Sequence, residues 1–590
     1  MGKKNNAVTA KTLPGIFFEQ SKKFIESPLF WSKKDGYWEG VSWQDASVQV
    51  KKLASLLMEC GISKGDRVLI ASENRPEWSI ADLAIMSIGA IVVPAYTTNT
   101  EEDNNYLLSH SKPKLAITSG GNVASRLCLA ADTNKDIENI ILIDAKPEFF
   151  SVKGCSLLSW DEEMRKIDID DKIEQEIENI SNEDICCFIY TSGTGGRPKG
   201  VMLTHKSILS NVLACKDVIK GVEIKEKVFL SLLPLSHAYE HTCGLHWPIY
   251  IGAEIYYSES TEAVAQNLQD VKPTLMIAVP RLYEVLYSRI LNGVKAKGGV
   301  SEYLFMTAIK LGRKKLSNQS LLPHEWLMDK IVDRLVRSKV KMRLGGRLKY
   351  FVSGGAALNS DVGSFFLGLG VGILQGYGLT EASPLISVNR PNLIKIETVG
   401  SPVLGVETKV DEFGELLIKG DLVMKGYWND KIATAQTIKN GWLHTGDLVE
   451  VDEDQYIKIT GRKKEIIVNS GGDNIAPTRV EGILSIESEI EQVMVYGDGC
   501  PWLSAVIVPS EDIKKVLNNN INKIREKISE VIEHANKGLS QIEKVRKFII
   551  ADEPFTVDNL QLTPTMKVRR HVVTGNYQKR IMDLYPKNKL

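Results

Sequence analysis

From about residue 40 to about residue 400, short runs of β-branched and aliphatic residues alternate with longer stretches of helical periodicity. Residues 67–71, 91–94, 115–118, 140–143, 186–190 and 350–353 are such runs, and most are apolar at nearly every position rather than at alternate ones. A strand apolar on both faces belongs inside a parallel sheet that helices cover on each side. This pattern predicts an α/β fold. Past residue 400 the rhythm shortens, and 409–410, 415–418 and 456–459 read as strands of a small antiparallel β unit. From Gly461 onward, the runs 465–468, 493–496 and 505–508 and a charged helix over roughly 511–537 predict a smaller α+β unit. The longest apolar stretches, 81–96 and 362–374, are too short or too glycine-rich to cross a bilayer and are expected to be buried helix or strand.

Composition adds exclusions. Among 590 residues, 73 Lys and Arg balance 73 Asp and Glu, so no net field draws the whole molecule to nucleic acid or a membrane. Eight scattered cysteines without a C-x-x-C pair point to reduced thiols in the cytoplasm. The first residues are basic, but no apolar stretch of a secretory leader follows. Asn6 stands where a myristoylation motif needs Ser or Thr. A soluble, cytoplasmic protein is expected.

The segment Tyr190-Thr-Ser-Gly-Thr-Gly-Gly-Arg-Pro-Lys-Gly-Val201 is rich in hydroxyls, glycines and cations. It is expected on a strand-to-helix turn, between a strand ending at Tyr190 and a helix capped near Thr204. There its backbone N–H groups and side chains would cradle a polyphosphate. A Walker loop is excluded because Gly200, not Ser or Thr, follows Lys199, and a dinucleotide fingerprint is absent.

This loop resembles the signature loop of the acyl-adenylate-forming enzymes, and other motifs of that family follow in the family's order. Ser353-Gly-Gly-Ala-Ala357 resembles the turn against adenine. Gln375-Gly-Tyr-Gly-Leu-Thr-Glu381 resembles the segment whose Tyr stacks on the base, whose Thr meets the α-phosphate and whose Glu holds Mg²⁺. His444-Thr-Gly-Asp447 resembles the ribose clamp, Gly461-Arg462 the ribose- or phosphate-binding arginine, and the segment 562–570 the one bearing the essential Lys567. The family's typical Thr is replaced by Gly195 in the phosphate loop, and its frequent Lys after two glycines by Asp473.

The resemblance implies a large amino-terminal domain, residues 1–463, of αβαβα-type layers with a small β-subdomain, and a mobile domain, 464–590, hinged at Lys464. It implies that ATP, Mg²⁺ and coenzyme A are used. Nucleotide contacts would come from Thr191, Ser192, Gly193, Thr194, Lys199, Gly354, Gly355, Ala356, Gln375, Gly376, Tyr377, Gly378, Thr380, Asp447, Arg462 and Lys567. Thr191 and Glu381 would serve Mg²⁺, and Gly471 and Gly472 the pantetheine arm of coenzyme A. Lys567, Thr191, Glu381 and His237 would be the catalytic group.

Residues 233–241 and 279–284 resemble long-chain fatty acyl-CoA synthetases, which implies a medium- or long-chain fatty acid as substrate. Residues 292–349 form an inserted helical region with 14 Lys or Arg against 4 Asp or Glu, a local charge of 14 − 4 = +10. It reads equally as an amphipathic surface for the inner face of an anionic membrane and as a solvated hairpin. The glycine-rich stretch 362–378 reads equally as an acyl tunnel wall and as tight packing. A homodimer is a further expected partner; nucleic acid is not. His237-Ala-Tyr-Glu-His241 matches a zinc-protease pattern, but it follows Pro234 inside an adenylate-forming frame, which argues against zinc. Two other readings stay open. One is an acyl-AMP ligase serving an acyl carrier protein; the other is a non-catalytic nucleotide-binding scaffold.

Overall fold

Two sheets share a central layer of helices because their strands alternate. In the strand Arg67–Ala71, Val68 and Ile70 point to the central core while Leu69 and Ala71 point to an outer one. This period-2 division repeats at Val92 and Val93, and at Ile117 and Ala116. The computed structural model describes residues 8–134, 136–144, 146–191, 197–316, 319–563 and 566–586.

The first sheet has eight strands in the order Gly426–Tyr427, Lys199–Thr204, Ile185–Thr191, Ile91–Ala95, Arg67–Ala71, Leu115–Thr118, Asn139–Leu142 and Ser156–Ser159. The six from Ile185–Thr191 onward run parallel, and the first two are antiparallel additions. The second sheet has nine strands. Six parallel strands, from Pro28–Lys34 to Gly372–Gly378, form its middle, and antiparallel pairs close both edges.

Between the sheets lies the helix Pro76–Ser87, buried at every position except Glu77. A helix that is apolar all round suits a place with sheet on both sides. The stretch 81–96 is therefore the end of that helix and the strand Ile91–Ala95. Outer helices, among them Glu101–Ser111 and Ser360–Gly368, cover the remaining faces and complete the five layers. Capping side chains fix the helix starts. Thr100 and Asp103 form a capping box, and so do Thr204 and Ser207.

One expectation is corrected. The segment after Tyr190 is not a strand-to-helix turn. Residues Lys199–Thr204 are a strand paired antiparallel with Ile185–Thr191, Thr191 opposite Lys199, and the helix begins only at His205. Alternating burial of Val201 and Leu203 among apolar neighbours favoured a strand where the capping box favoured only the following helix. The glycine-rich segment is thus flanked by two antiparallel strands, not by a strand and a helix. Its residues Ser192, Gly193 and Thr194 lie outside the described residues.

A small antiparallel sheet joins Glu407–Val410, Glu415–Lys419, Trp442–Val451, Ile438–Lys439 and Ile457–Arg462. Beyond Arg462, a three-stranded sheet of Ile490–Tyr496, Leu503–Pro509 and Val545–Ile550 packs on helices Pro477–Leu484, Ile521–Ala535 and Arg570–Met582. Its two cores draw only on residues from Ile467 to Tyr585.

Candidate active site

Four separate elements bring charge to one place. In the small sheet, Asp447 and Arg462 are cross-strand partners, and Arg462 Nε donates to Asp447 Oδ1 at 2.8 Å. The Tyr377 hydroxyl, at the end of the strand Gly372–Gly378, donates to Asp447 Oδ2. Each carboxylate oxygen keeps a second lone pair for a ligand hydroxyl. Burial, then Asp447, pushes the Tyr377 hydroxyl well above its ordinary pKa, so it stays a donor. Burial opposes the charge on Arg462, but Asp447 beside it wins and raises its pKa.

Lys567 enters from the carboxyl-terminal unit on a tight hairpin. Leu562 and Val568 form an isolated bridge; the Thr563 N–H donates to the Lys567 carbonyl at 2.8 Å, and the Lys567 N–H to Thr563 Oγ1 at 3.0 Å. The residue keeps a solvent-open side, yet protein crowds its ammonium. That crowding, with Arg462 next in weight, pushes its pKa down, against the pull of Glu465, Asp447 and Glu381. Among the described residues it makes no ion pair. The hairpin therefore holds a cation within electrostatic reach of the carboxylates of Glu465, Asp447 and Glu381 without an ion pair among the described residues.

His237 faces the same cluster. Its Nδ1 accepts from the Tyr239 N–H at 3.2 Å, so in the neutral ring the proton sits on Nε2 as a donor. Burial and then Lys567 push its pKa down to about 4, which keeps it neutral at physiological pH.

Lys199 starts its strand beside the loop, with Nζ 4.7 Å from the Tyr427 ring centroid and 4.0 Å from Asp430. The Tyr427 hydroxyl donates to Glu381 Oε1 at 2.8 Å. The pattern of the chain did not single out Tyr427 or Asp430. The only signal was the aromatic pair Tyr427-Trp428. Glu465, the acid closing the run 461–465, also acts on the Lys567 ammonium through its charge.

The turn after the strand Tyr350–Ser353 needs small residues for a stated reason. A Cβ on Gly354 would lie 3.0 Å from the Tyr239 ring, and Gly355 has φ +81°. Ala356 is exposed there. Gly378 approaches Pro384 so closely that a Cβ would meet its carbonyl oxygen at 1.8 Å, and Gly376 packs on Ser387. Gln375 is buried, and its amide is used by the protein itself. Oε1 accepts from the Leu358 N–H at 3.1 Å and Nε2 donates to the Thr398 carbonyl at 3.1 Å. Its side chain positions the 354–358 turn. Thr380 and Glu381 sit on the short helix Thr380–Ala382.

Other expected positions lie apart from this cluster. Lys464 is exposed in the connection between Ile457–Arg462 and Ile467–Val468. Gly471 and Gly472 form the tip of the next hairpin, where Asn469 Oδ1 accepts from the Gly471 and Asp473 N–H groups, each at 2.9 Å. Among the described residues, no hydrogen bond or ion pair ties this tip to Lys567 or Asp447.

The zinc-like pattern dissolves in three dimensions. His237 and His241 serve different partners, and His241 Nε2 lies 2.9 Å from Asp82 Oδ1. His246 Nε2 is 3.3 Å from Asp82 Oδ2 and 3.4 Å from His241 Nε2. In this fully buried trio the three ligand atoms lie within 4.8 Å of one another, close enough to hold a metal ion, and Asp82 Oδ2 and His241 Nδ1 have no hydrogen-bond partner among the described residues. Asp82 bears the negative charge, and its pKa is pushed far down by the two histidines despite burial. An Asp inside an otherwise apolar helix was a legible sign that a buried partner had to exist.

Comparison with known proteins agrees with this fold. The AMP-binding enzyme family matches residues 17–428, and its C-terminal domain matches residues 464–589. A long-chain-fatty-acid–CoA ligase of Mycobacterium bovis is 32% identical, with 97% of this chain and 96% of that protein covered. Fatty acyl-CoA synthetase A of Dictyostelium discoideum is 30% identical over 94% of this chain and 87% of its own length. The A domain of a carboxylic acid reductase from Segniliparus rugosus, solved with AMP and a co-purified carboxylic acid, has a TM-score of 0.78. It is 19% identical, covering 99% of this chain and 94% of that one, and shows the shared fold. With both segments of the family matched in order along most of its length, this chain belongs to the AMP-binding enzymes.

Proposed function

We propose that the protein is an acid–thiol ligase that activates a medium- or long-chain fatty acid with ATP and transfers the acyl group to coenzyme A. The observation that carries the reading is the Lys567 ammonium, without an ion pair among the described residues and within electrostatic reach of Arg462, Glu465, Asp447 and Glu381, on a hairpin fixed by Thr563. The names of relatives about 30% identical over nearly the full chain support the acid and the thiol.

A carboxylate is unreactive toward thiols because oxide would have to leave. Its oxygen attacks the α-phosphorus of ATP, pyrophosphate departs in line, and an acyl-AMP forms. Negative charge grows on the α-phosphate and the leaving oxygen, so fixed cations there lower the barrier. Lys567 is assigned to the carboxylate and α-phosphate, and Lys199 to the outer phosphates beside its loop. Asp447 accepts the ribose hydroxyls, with Tyr377 and Arg462 holding it. His237, neutral with Nε2–H outward, hydrogen-bonds the fatty carboxylate. Thr380 contacts the α-phosphate, and Gly354, Gly355 and Ala356 border the base.

Mg²⁺ suits this donor set. A carboxylate oxygen of Glu381 beside the phosphates, with Thr191 at the loop, is hard-oxygen chemistry, and the ion would screen phosphate charge. In the second step a thiolate attacks the acyl carbonyl and AMP leaves. We assign this step to a rotated arrangement in which 464–590 turns about Lys464, withdraws Lys567 and brings Gly471 and Gly472 to the pantetheine arm. Exclusion of water from the mixed anhydride favours such closure.

The test is thioester formation from ATP, coenzyme A and straight-chain acids from hexanoate to eicosanoate, with an acyl carrier protein offered in parallel. An acyl-CoA product with at least one acid is expected. Product only on the carrier protein would reassign the acceptor. Pyrophosphate release with none of the acids would end the reading.

A further inference from the structure

The insert 292–349 is helical, as Gly299–Leu316, Pro323–Val332, Asp333–Arg337 and Ser338–Arg343, and two of its four acids, Glu325 and Asp329, turn inward. Lys314 reaches Glu325 at 2.6 Å, Asp329 pairs with Lys315 and Arg337, and Asp333 lies 3.7 Å from Arg337. These pairs clamp the helices together. Lys330, Arg334, Lys339, Lys341 and Arg343 are exposed and make no ion pair among the described residues.

The run from 323 to 343 carries two apolar stripes. Val332, Val336 and Val340, four residues apart, are buried in the core behind it. Leu327, Ile331 and Leu335, also four apart, and Met342 seven further on, are 40% to 63% exposed. A solvated hairpin has a polar outer face; this one is apolar and cationic at once. Lys330 and Arg334 sit three positions after Leu327 and Ile331, so charge borders the stripe on the same side of the helix. Trp326, also exposed, lies under the Lys330 ammonium at 3.7 Å. On the neighbouring helix Val300, Tyr303 and Met306 are exposed at three-residue spacing.

We propose that this face docks on an anionic lipid bilayer. Its stripe would enter the acyl boundary while the bordering cations meet lipid phosphates. A second copy of the chain would set one local charge of +10 against another, which disfavours self-association through this face. None of the described helices is long and apolar enough to cross a membrane, so the contact is peripheral. The proposal rests on this surface alone and not on the substrate assigned above.

The experiment is sedimentation of the full chain with vesicles of phosphatidylcholine plus phosphatidylglycerol, and with vesicles of pure phosphatidylcholine. Binding to the anionic vesicles at least tenfold tighter, and released by high salt, is expected. Replacing Lys330, Arg334 and Lys339 together by Ser weakens it by about 100-fold. Replacing Leu327, Ile331 and Leu335 by Ser weakens it by about tenfold. Neither variant changes thermal unfolding by more than a few degrees, because all six side chains are exposed. Failure of the wild type to pellet, or pelleting that both variants retain, overturns the proposal. So does self-association abolished by the apolar variant without vesicle binding, which would give the face to a second copy.

Discussion

The protein holds two charged clusters built from similar side chains and put to opposite uses. Around Asp447, charge comes from different elements, faces a cleft and is left incomplete, since Lys567 has no ion-pair partner among the described residues. Around Asp82, charge is sealed between two sheets, with both imidazoles set against the one carboxylate. Beside that trio, Glu240 is fully buried; burial pushes its pKa up to about 8, so it folds as the neutral acid. A buried charge that is paired and closed stabilises a scaffold. A charge held open by the fold is available to a substrate.

The most severe way to break this contrast is Asp82→Ala. It strands two buried imidazoles and is expected to cost about 3–5 kcal/mol of stability by denaturant unfolding. An unchanged midpoint would deny the trio its structural role.

Lys567→Ala is next. Pyrophosphate release should fall by about 10²–10³ with the unfolding midpoint unmoved, because the side chain ends in the cleft. A fall in stability with normal turnover would invert the comparison.

Glu240→Gln sharpens the contrast through pH. With its folded pKa raised to about 8 from the ordinary 4.5, the unfolded chain loses this proton first as pH rises. Stability therefore drops between those two values, by about 1.4 kcal/mol per unit at most. Between pH 6 and 7.5 the wild type should lose about 2 kcal/mol that the variant keeps. Parallel stability curves for the two proteins would show the carboxyl to be ionised in the fold.

Asp447→Asn should raise the KM for ATP by about tenfold, because a neutral acceptor binds ribose hydroxyls less strongly. The smallest effect is expected of Tyr427→Phe. Loss of its bond to Glu381 costs about 1 kcal/mol, or about fivefold in turnover. That loss should shrink as Mg²⁺ is raised if the hydroxyl orients the carboxylate for the ion.

Much of the fold was legible in the chain. Runs such as 68–71 and 115–117 are apolar at every other position and at the ones between, and a covered parallel strand has use for that. Thr204 and Ser207 wrote their own helix start. The motif residues Tyr377, Asp447, Arg462 and Lys567 were legible as a set, although the structure alone joins the Tyr377 hydroxyl to the Arg462 partner. Residues 199–204 were misread because the glycine-rich loop before them suggested a helix-terminal cradle, while pairing with 185–191 is a long-range choice. Tyr427 and Asp430 were invisible for the same reason, since nothing near them in sequence reveals Lys199 or Glu381.

The chain by itself determined most of its strands and helix starts and the motifs that mark its family, because periodicity, capping and motif spacing are local properties. The tertiary structure decided which charges are satisfied and which are left open. Pairing distance and burial, not residue type, separate the Asp of a scaffold from the Asp of a site. Both depend on elements hundreds of residues apart, whose meeting no local pattern encodes.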